Sequence, residues 1–127
     1  MDFRRVDPWR VLVLEDEPSL RRNLIRFLES RGVSVVGART LKEARACLES
    51  APVDAAVLDV SLPDGDGLDL LPLTSPASSL VVSAEAAAET LRERGVEHFQ
   101  RKPLDLAAVA KTIEGFLAGE ETVGATR

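Results

Sequence analysis

Short apolar runs that end abruptly at polar residues alternate with helical segments along this chain. The first run, residues 11–14, stops at three consecutive acids, and apolar residues then recur at helical spacing from Pro18 until Gly32. Such runs are typical of strands buried on both faces of a parallel sheet, and glycine commonly ends a helix. The helical segments supply the right-handed crossovers that parallel strands require. The pattern predicts an α/β domain.

The alternation continues towards the C-terminus. Residues 33–36 form a second apolar run, and Thr40 with Glu43 has the form of a capping box that opens a helix through Leu48. Further strands are predicted at residues 53–58, 80–82 and 96–101, and further helices at residues 86–94 and from Leu106 to Leu117. We therefore expect a five-stranded parallel sheet with helices on both faces.

Composition limits the classes of function. A chain of 127 residues, 45% of them hydrophobic, is long enough for one domain. The net charge of -5 argues against a nucleic-acid-binding surface, which is normally basic. The single cysteine, Cys47, is typical of a reducing compartment, and no apolar run approaches the length of a membrane span. We expect one cytoplasmic domain that contacts neither nucleic acid nor membrane.

Polar residues follow four of the predicted strands, namely Asp16, Asp59, Ser83 and Lys102. Because neighbouring parallel strands end at one edge of the sheet, these side chains should converge there, where open α/β sheets bind ligands. Grouped carboxylates attract a divalent cation, and an oxygen ligand set favours Mg²⁺ over zinc. Beside Mg²⁺ and an ammonium group, an aspartate carboxylate can attack phosphorus with its developing charge stabilised. The pattern predicts acyl-phosphate formation at Asp59.

Each of these residues alone also has a structural interpretation. The acids at residues 15–17 suit the positive end of a helix, and Asp59 suits the end of a strand before a turn rich in glycine and aspartate. Their joint occurrence, in order, after strands one, three, four and five favours the functional interpretation.

At these motifs the chain resembles the receiver domains of two-component response regulators, across roughly residues 10–117. The resemblance rests on Glu15-Asp16, on the stretch from Asp59 to Gly67 (DVSLPDGDG), on Ser83-Ala84 and on Lys102-Pro103. It implies a flavodoxin-like strand order 2-1-3-4-5 and a Lys-Pro peptide that is commonly cis. It further implies a phosphorylation-dependent switch that accepts a phosphoryl group with Mg²⁺, catalysing only its own phosphorylation and dephosphorylation.

The resemblance also implies a role for each site residue. Asp59 is the phosphoacceptor, Lys102 pairs with the phosphoryl group, and Ser83 donates a hydrogen bond to it. Asp16 binds Mg²⁺ directly, Glu15 acts through water, and the backbone carbonyl of Ser61 completes the metal site together with Asp59. Ser83 and Phe99 occupy the switch positions, although an aromatic residue in a strand is more often part of the core.

The segment between Gly67 and Ser83 departs from the family pattern. It contains Pro72 and Pro76, and a proline inside a helix costs about 3 kcal/mol, so helix three should be short or irregular. The stretch from Ser83 to Lys102 is also about one helical turn shorter than usual, which trims helix four. These changes affect the surface through which receivers signal, and they leave the acidic pocket intact.

The expected organisation is an N-terminal extension at residues 1–9, a receiver domain at residues 10–118 and a flexible tail or start of a linker at residues 119–127. The partners implied are a sensor histidine kinase or phosphotransfer protein, and downstream either a protein target or a linked effector domain. These downstream alternatives stay open on sequence alone.

Two other functions fit parts of the pattern. A phosphatase of the haloacid dehalogenase type also uses an aspartate nucleophile, but it wants a second carboxylate two residues later, where this chain has Ser61. The irregular segment after Gly67 is compatible with a degenerate receiver, a protein-interaction module that works without phosphorylation.

Overall fold

A computed structural model describes residues 8–119 of the chain. The proposed extension at residues 1–9 and tail at residues 119–127 lie largely outside the described residues. The helices and strands occur in the following order: β1 (Arg10–Leu14), α1 (Pro18–Glu29), β2 (Ser34–Ala38), α2 (Leu41–Ser50), β3 (Ala55–Asp59), β4 (Ser61–Leu62), β5 (Gly65–Asp66), α3 (Leu71–Thr74), β6 (Ser79–Ser83), α4 (Ala88–Glu93), β7 (Phe99–Arg101) and α5 (Leu106–Leu117).

Five of the strands form one parallel sheet in the order β2-β1-β3-β6-β7. The strands β4 and β5 are a separate antiparallel hairpin directly after β3. When only the strands of the main sheet are counted, the order is 2-1-3-4-5, which confirms the flavodoxin-like arrangement. The sheet places the carboxyl ends of β1, β3, β6 and β7 side by side.

Two hydrophobic cores cover the two faces of the sheet. Side chains alternate along a strand, so Leu12 and Leu14 of β1 face one core while Val11 and Val13 face the other. The first core is shared with α2, α3 and α4, and the second is shared with α1 and α5. Helices on both faces are therefore confirmed. No helix within residues 8–119 is long and apolar enough to cross a membrane.

The longer helices begin at side chains that accept backbone hydrogen bonds. Glu17 accepts from two N–H groups at the start of α1, Thr40 accepts from Glu43 at the start of α2, and Asp105 caps α5. Gly32 follows α1 with a φ of 94°, a conformation that glycine adopts without the steric penalty of a side chain. Of the capping box predicted at Thr40, the bond from the N–H of Glu43 to Thr40 is present, whereas the Glu43 carboxylate accepts from the N–H of Arg39 and not from that of Thr40.

The region between β5 and β6 contains little regular helix. A 3₁₀ turn at Gly67–Leu70 leads into the four residues of α3, and a second 3₁₀ turn at Pro76–Ser78 precedes β6. α4 has only six residues, half the length of α1 or α5. A short, irregular helix three and a trimmed helix four are both confirmed.

Candidate functional site

The carboxyl ends of four strands surround a cavity of about 250 Å³ at one edge of the sheet. Its wall is formed by Asp16, Asp59, Ser61, Ser83, Ala84, Glu85 and Lys102. The convergence predicted for residues after strands one, three, four and five is therefore observed. Glu15 and Phe99 do not belong to this lining, as far as the described residues go.

Three carboxylates form the acidic side of the site. Glu15, Asp16 and Asp59 each place an oxygen within 4.8 Å of the others. Glu15 is completely buried and Asp59 is 4% exposed, whereas Asp16 is open to solvent. Carboxylates this close repel one another, and the repulsion increases the affinity of the group for a divalent cation.

Lys102 contributes a cation to the same group. Its Nζ lies 2.9 Å from Glu15 Oε1 and 3.2 Å from Asp59 Oδ2. Burial raises the pKa of Glu15, and attraction to the Lys102 ammonium only partly offsets this. Burial lowers the pKa of Lys102, but the two carboxylates outweigh it and hold that pKa above its ordinary value. Lys102 is therefore a permanent positive charge beside Asp59 at neutral pH.

The metal fit is tested by the chemistry of the donor set. The three clustered side chains offer carboxylate oxygens, and the ammonium of Lys102 pairs with Glu15 and Asp59. Mg²⁺ typically takes one or two carboxylates together with water and phosphate oxygens. The residues present therefore fit a hard divalent cation.

Asp59 is held by the chain that follows it. The N–H of Ser61 donates to Asp59 Oδ1 at 3.3 Å, while Oδ2 faces Lys102. Gly67 returns after the hairpin and donates its N–H to the carbonyl of Val60 at 2.8 Å. A Cβ at Gly67 would overlap the carbonyl oxygen of Asp59. Only glycine lets the chain pass this close to the candidate phosphoacceptor.

Ser83 lies at the end of β6, in the wall of the cavity. Its backbone carbonyl accepts a hydrogen bond from the N–H of Lys102 at 2.9 Å, which places the two residues side by side. Ser83 Oγ accepts from the N–H groups of Glu85 and Ala86. The hydroxyl proton is left to donate elsewhere, because these bonds use the oxygen as an acceptor.

Phe99 lies on β7 outside the cavity. Its half-buried ring packs against the core shared with α2, α3 and α4. The guanidinium of Arg101 lies over the ring, 5.3 Å from its centre. Phe99 is therefore part of the hydrophobic core, as the structural interpretation predicts. It also lies near the site in sequence, because Lys102 is three residues further along the chain. The Lys102-Pro103 peptide is cis.

Sequence reasoning assigned no role to three residues that support the site. Arg21 donates from Nη1 to the backbone carbonyl of Glu15 at 2.9 Å and reaches that of Asp16 at 3.4 Å. Gly67 and Arg101 contact the segments after Asp59 and Ser83 respectively. A cation one turn into α1 was a visible signal for Arg21. For Arg101, the only signal was its unusual polarity in a strand.

Comparisons with known proteins agree with this geometry. The family model of the response regulator receiver domain matches residues 11–114. The response regulator protein PilR of Pseudomonas aeruginosa is 32% identical over 111 residues, covering 82% of this chain and 25% of PilR. This chain therefore spans a quarter of the length of that relative.

Two solved structures show the likeness of the fold. A receiver domain from Methanospirillum hungatei superposes with a TM-score of 0.80 at 24% identity, covering 91% of this chain and 98% of that one. The beryllofluoride-activated NtrC4 receiver domain dimer has a TM-score of 0.75 at 31% identity, covering 87% of this chain and 97% of that one. With the match of the family model over most of its length, the chain belongs to the family of response regulator receiver domains.

Proposed function

We propose that this receiver domain is a phosphorylation-dependent switch that accepts a phosphoryl group on Asp59 from a sensor histidine kinase or phosphotransfer protein. The observation that carries the proposal is the position of the Asp59 carboxylate, which is buried between the Lys102 ammonium and two further carboxylates at the floor of an open cavity. An aspartate that only ends a strand before a turn does not require burial beside a lysine and two other carboxylates.

The metal-binding residues in this proposal are Asp16 and Asp59 with their carboxylates and Ser61 with its backbone carbonyl. Glu15 acts through water, which agrees with its burial behind the cavity lining. When bound, Mg²⁺ supplies positive charge that stabilises the oxygens of the transferring phosphoryl group. The cation and Lys102 together offset the crowding of negative charge that the phosphoryl group adds.

The chemistry is divided among the side chains of the chain itself. An oxygen of the Asp59 carboxylate attacks phosphorus, so that an O–P bond forms while the bond from phosphorus to the donor breaks and the donor keeps the electron pair. Lys102 turns its ammonium from a carboxylate to the phosphoryl oxygens, to which it donates charge-assisted hydrogen bonds. Ser83 donates a hydrogen bond from its hydroxyl to a phosphoryl oxygen and so links the reaction to the loop that follows it.

The partners follow from the family and are part of the proposal. Receiver domains interact with sensor kinases or phosphotransfer proteins and are often linked to effector domains. We place this domain in the cytoplasm, with its output passing to a downstream protein or to a linked effector domain and not through direct contact with nucleic acid. Apart from phosphorylating and dephosphorylating itself, it has no enzymatic activity in this proposal.

Intact mass spectrometry after incubation with acetyl phosphate and Mg²⁺ tests the proposal. We expect one added phosphoryl group on the wild-type protein and none on Asp59→Asn, because an amide is a poor nucleophile. Asp69→Asn, which neutralises an exposed acid outside the cavity, is the matched control and should be labelled like the wild type. Equal labelling of wild type and Asp59→Asn would contradict the assignment.

The degenerate receiver remains the alternative, since the helices after the hairpin are short. It predicts no labelling of the wild type by acetyl phosphate or by any histidine kinase at any Mg²⁺ concentration. It further predicts that Asp59→Asn binds its partner as tightly as the wild type does. Labelling of the wild type on Asp59 excludes this alternative.

A further inference from the structure

The loop between β6 and α4, residues 84–87, is held by hydrogen bonds to side chains of the neighbouring strands β6 and β7. Ser83 Oγ accepts hydrogen bonds from the N–H groups of Glu85 at 3.1 Å and Ala86 at 3.0 Å. The helix that follows has no side-chain cap at Ala87. The position of this loop therefore depends on hydrogen bonds from outside it, of which Ser83 at the end of β6 accepts two.

Arg101 holds the same loop through its carbonyl groups. Nη1 donates to the carbonyl of Ala84 at 3.1 Å, and Nη2 donates to that of Ala86 at 2.9 Å. Both nitrogens belong to one planar group, so the two bonds fix the loop against β7 together. The ring of Phe99 lies under the guanidinium and restricts it further. In the parallel register, Arg101 is the partner of Ser83.

We propose that Arg101 is a positioning residue for phosphorylation, an inference that rests on the function proposed above. Ala84 and Glu85 form part of the cavity wall, whereas the described lining does not include Arg101. By fixing the carbonyl of Ala84, Arg101 fixes this wall relative to Asp59. It acts through the loop and makes no contact with the reacting atoms.

The anchor that Arg101 provides does not compete with the Ser83 hydroxyl. Ser83 Oγ accepts from the N–H groups of Glu85 and Ala86 and keeps its proton available to donate to a phosphoryl oxygen. The bonds from Arg101 go to carbonyl oxygens, so the phosphoryl group does not compete for them either. Arg101 therefore holds the loop in both states of the switch.

Amide hydrogen exchange of the unmodified protein tests whether Arg101 holds the loop. Arg101→Ala should speed exchange of the amides at residues 85–88 about three- to tenfold, as loss of roughly one net hydrogen bond allows, without changing α1 and α5. Arg92→Ala removes the same charge from an exposed position on α4 and serves as the control. Unchanged exchange in Arg101→Ala would overturn the proposal.

Beryllofluoride, a mimic of the phosphoryl group, tests whether the held loop serves the site. At a fixed Mg²⁺ concentration, Arg101→Ala should bind it about tenfold more weakly. Its affinity for Mg²⁺ alone should be unchanged, because the carboxylates are untouched. Arg101→Lys keeps the charge but has one nitrogen in place of the fork, so it should resemble the alanine variant. A lysine variant equal to wild type, or a loss of Mg²⁺ binding, would overturn the positioning role.

Failure of the proposed function gives a different result. In that case the wild type and Arg92→Ala would also fail to bind beryllofluoride or to accept a phosphoryl group, and the positioning role would fall with the function. Weaker beryllofluoride binding that is confined to the Arg101 variants, with normal wild-type labelling, supports both proposals.

Discussion

The two faces of this domain differ in how regular their helices are. On one face α1 and α5 have twelve residues each, with two or more fully buried side chains and a side-chain cap at the N-terminus. On the other, α2 has ten residues, but the segments on either side of the buried strand β6 contain only two 3₁₀ turns, the four residues of α3 and the six of α4. We call these two segments, residues 67–78 and 84–94, the irregular region.

The site draws unequally on these two parts. The three clustered carboxylates, Lys102 and Ser83 lie at the ends of β1, β3, β7 and β6, whereas the irregular region contributes only Ala84 and Glu85 to the cavity wall. Chemistry is thus placed by strands in a fixed register, and helix length matters little to it. We infer that metal binding and phosphoryl acceptance tolerate an irregular region, while the conformational response depends on it.

The largest effect is expected where the irregular region contacts β3, because a change there disturbs both the helical segments and the site. Gly67→Ala would push a Cβ into the carbonyl of Asp59, and the backbone on one side must move. We expect a loss of about 2–4 kcal/mol in the free energy of unfolding and poor labelling by acetyl phosphate. Urea denaturation measures the first effect, and intact mass measures the second.

Gly32→Ala is the matched control for this substitution. Gly32 has a positive φ but no atom within 4 Å of an added Cβ, so the change introduces backbone strain without a clash. It should cost about 1–2 kcal/mol and leave labelling unchanged. If the two variants lose the same stability and label alike, close approach to Asp59 has no importance of its own.

The metal site gives the next largest expected effect. Asp16→Ala should weaken Mg²⁺ binding more than Glu15→Gln does, because Asp16 lines the cavity and Glu15 lies buried behind it. For the change at Glu15 we expect a loss of about 10- to 100-fold, the range seen when groups behind a metal ligand are replaced. Isothermal titration calorimetry with MgCl₂ measures both.

Glu85→Gln supplies the comparison with the irregular region. It removes a negative charge from the same cavity wall but lies outside the carboxylate cluster. If metal binding belongs to the strand ends, this variant should bind Mg²⁺ nearly as the wild type does. A larger loss in Glu85→Gln than in Asp16→Ala would mean that the ligand assignment is wrong.

The sequence predicted the fold and the convergence of residues at the strand ends because both depend on local patterns. Buried apolar runs identify strands, and parallel strands bring their ends together whatever the details of the helices. Strand bounds were less accurate. β2 was predicted at residues 33–36 but extends to Ala38, because backbone pairing with β1 continues through Gly37, a residue without a hydrophobic signal.

The parts that sequence could not supply are long-range contacts of single side chains. Among the three acids after β1, nothing local distinguishes Glu15, which is buried in the site, from Glu17, which caps α1. Likewise the register alone brings Arg101 opposite Ser83, and register is set by the whole sheet. The fold can therefore be predicted from the hydrophobic periodicity of the sequence. The side-chain contacts that support the site are seen only in the structure.

Hydrogen exchange sharpens the comparison between the two parts. We expect α1 and α5 to be well protected and the irregular region to exchange faster, since less buried surface gives a lower opening free energy. Within the irregular region, residues 67–78 contain three buried leucines, and Thr74 makes a buried hydrogen bond to Ser79 of β6, so the fastest exchange should fall at residues 84–94.

Beryllofluoride with Mg²⁺ should then raise protection first in residues 84–94, because Ser83 lines the cavity directly before that stretch and, in the proposed function, donates a hydrogen bond to the phosphoryl group. Exchange in α1 and α5 should change little. Protection equal to that of α1 before any addition, or no response to the mimic, would indicate a rigid module and favour the degenerate alternative.

The smallest expected effect concerns the β4-β5 hairpin, which lies between β3 and the irregular region. Asp64 accepts hydrogen bonds from the N–H groups of Leu41 at 2.8 Å and Lys42 at 3.1 Å, so a residue of the hairpin caps α2. These bonds hold the pKa of Asp64 below its ordinary value of 3.8. The charged cap therefore stabilises the fold above the unfolded pKa, and its contribution is lost as pH falls through the lower, folded pKa.

Asp64→Asn separates this charged cap from neutral ones. The variant should melt below the wild type at pH 7, and the difference should shrink as pH falls below about 4, because the carboxylate is protonated first in the unfolded chain and only at lower pH in the folded protein. Thr40→Ala removes a neutral cap from the same helix and should cost about 1 kcal/mol at both pH values. Thermal melts of the three proteins at pH 7 and pH 3 decide the matter. If the difference in melting temperature between wild type and Asp64→Asn does not depend on pH, the negative charge of Asp64 does not contribute to the contact between the hairpin and α2.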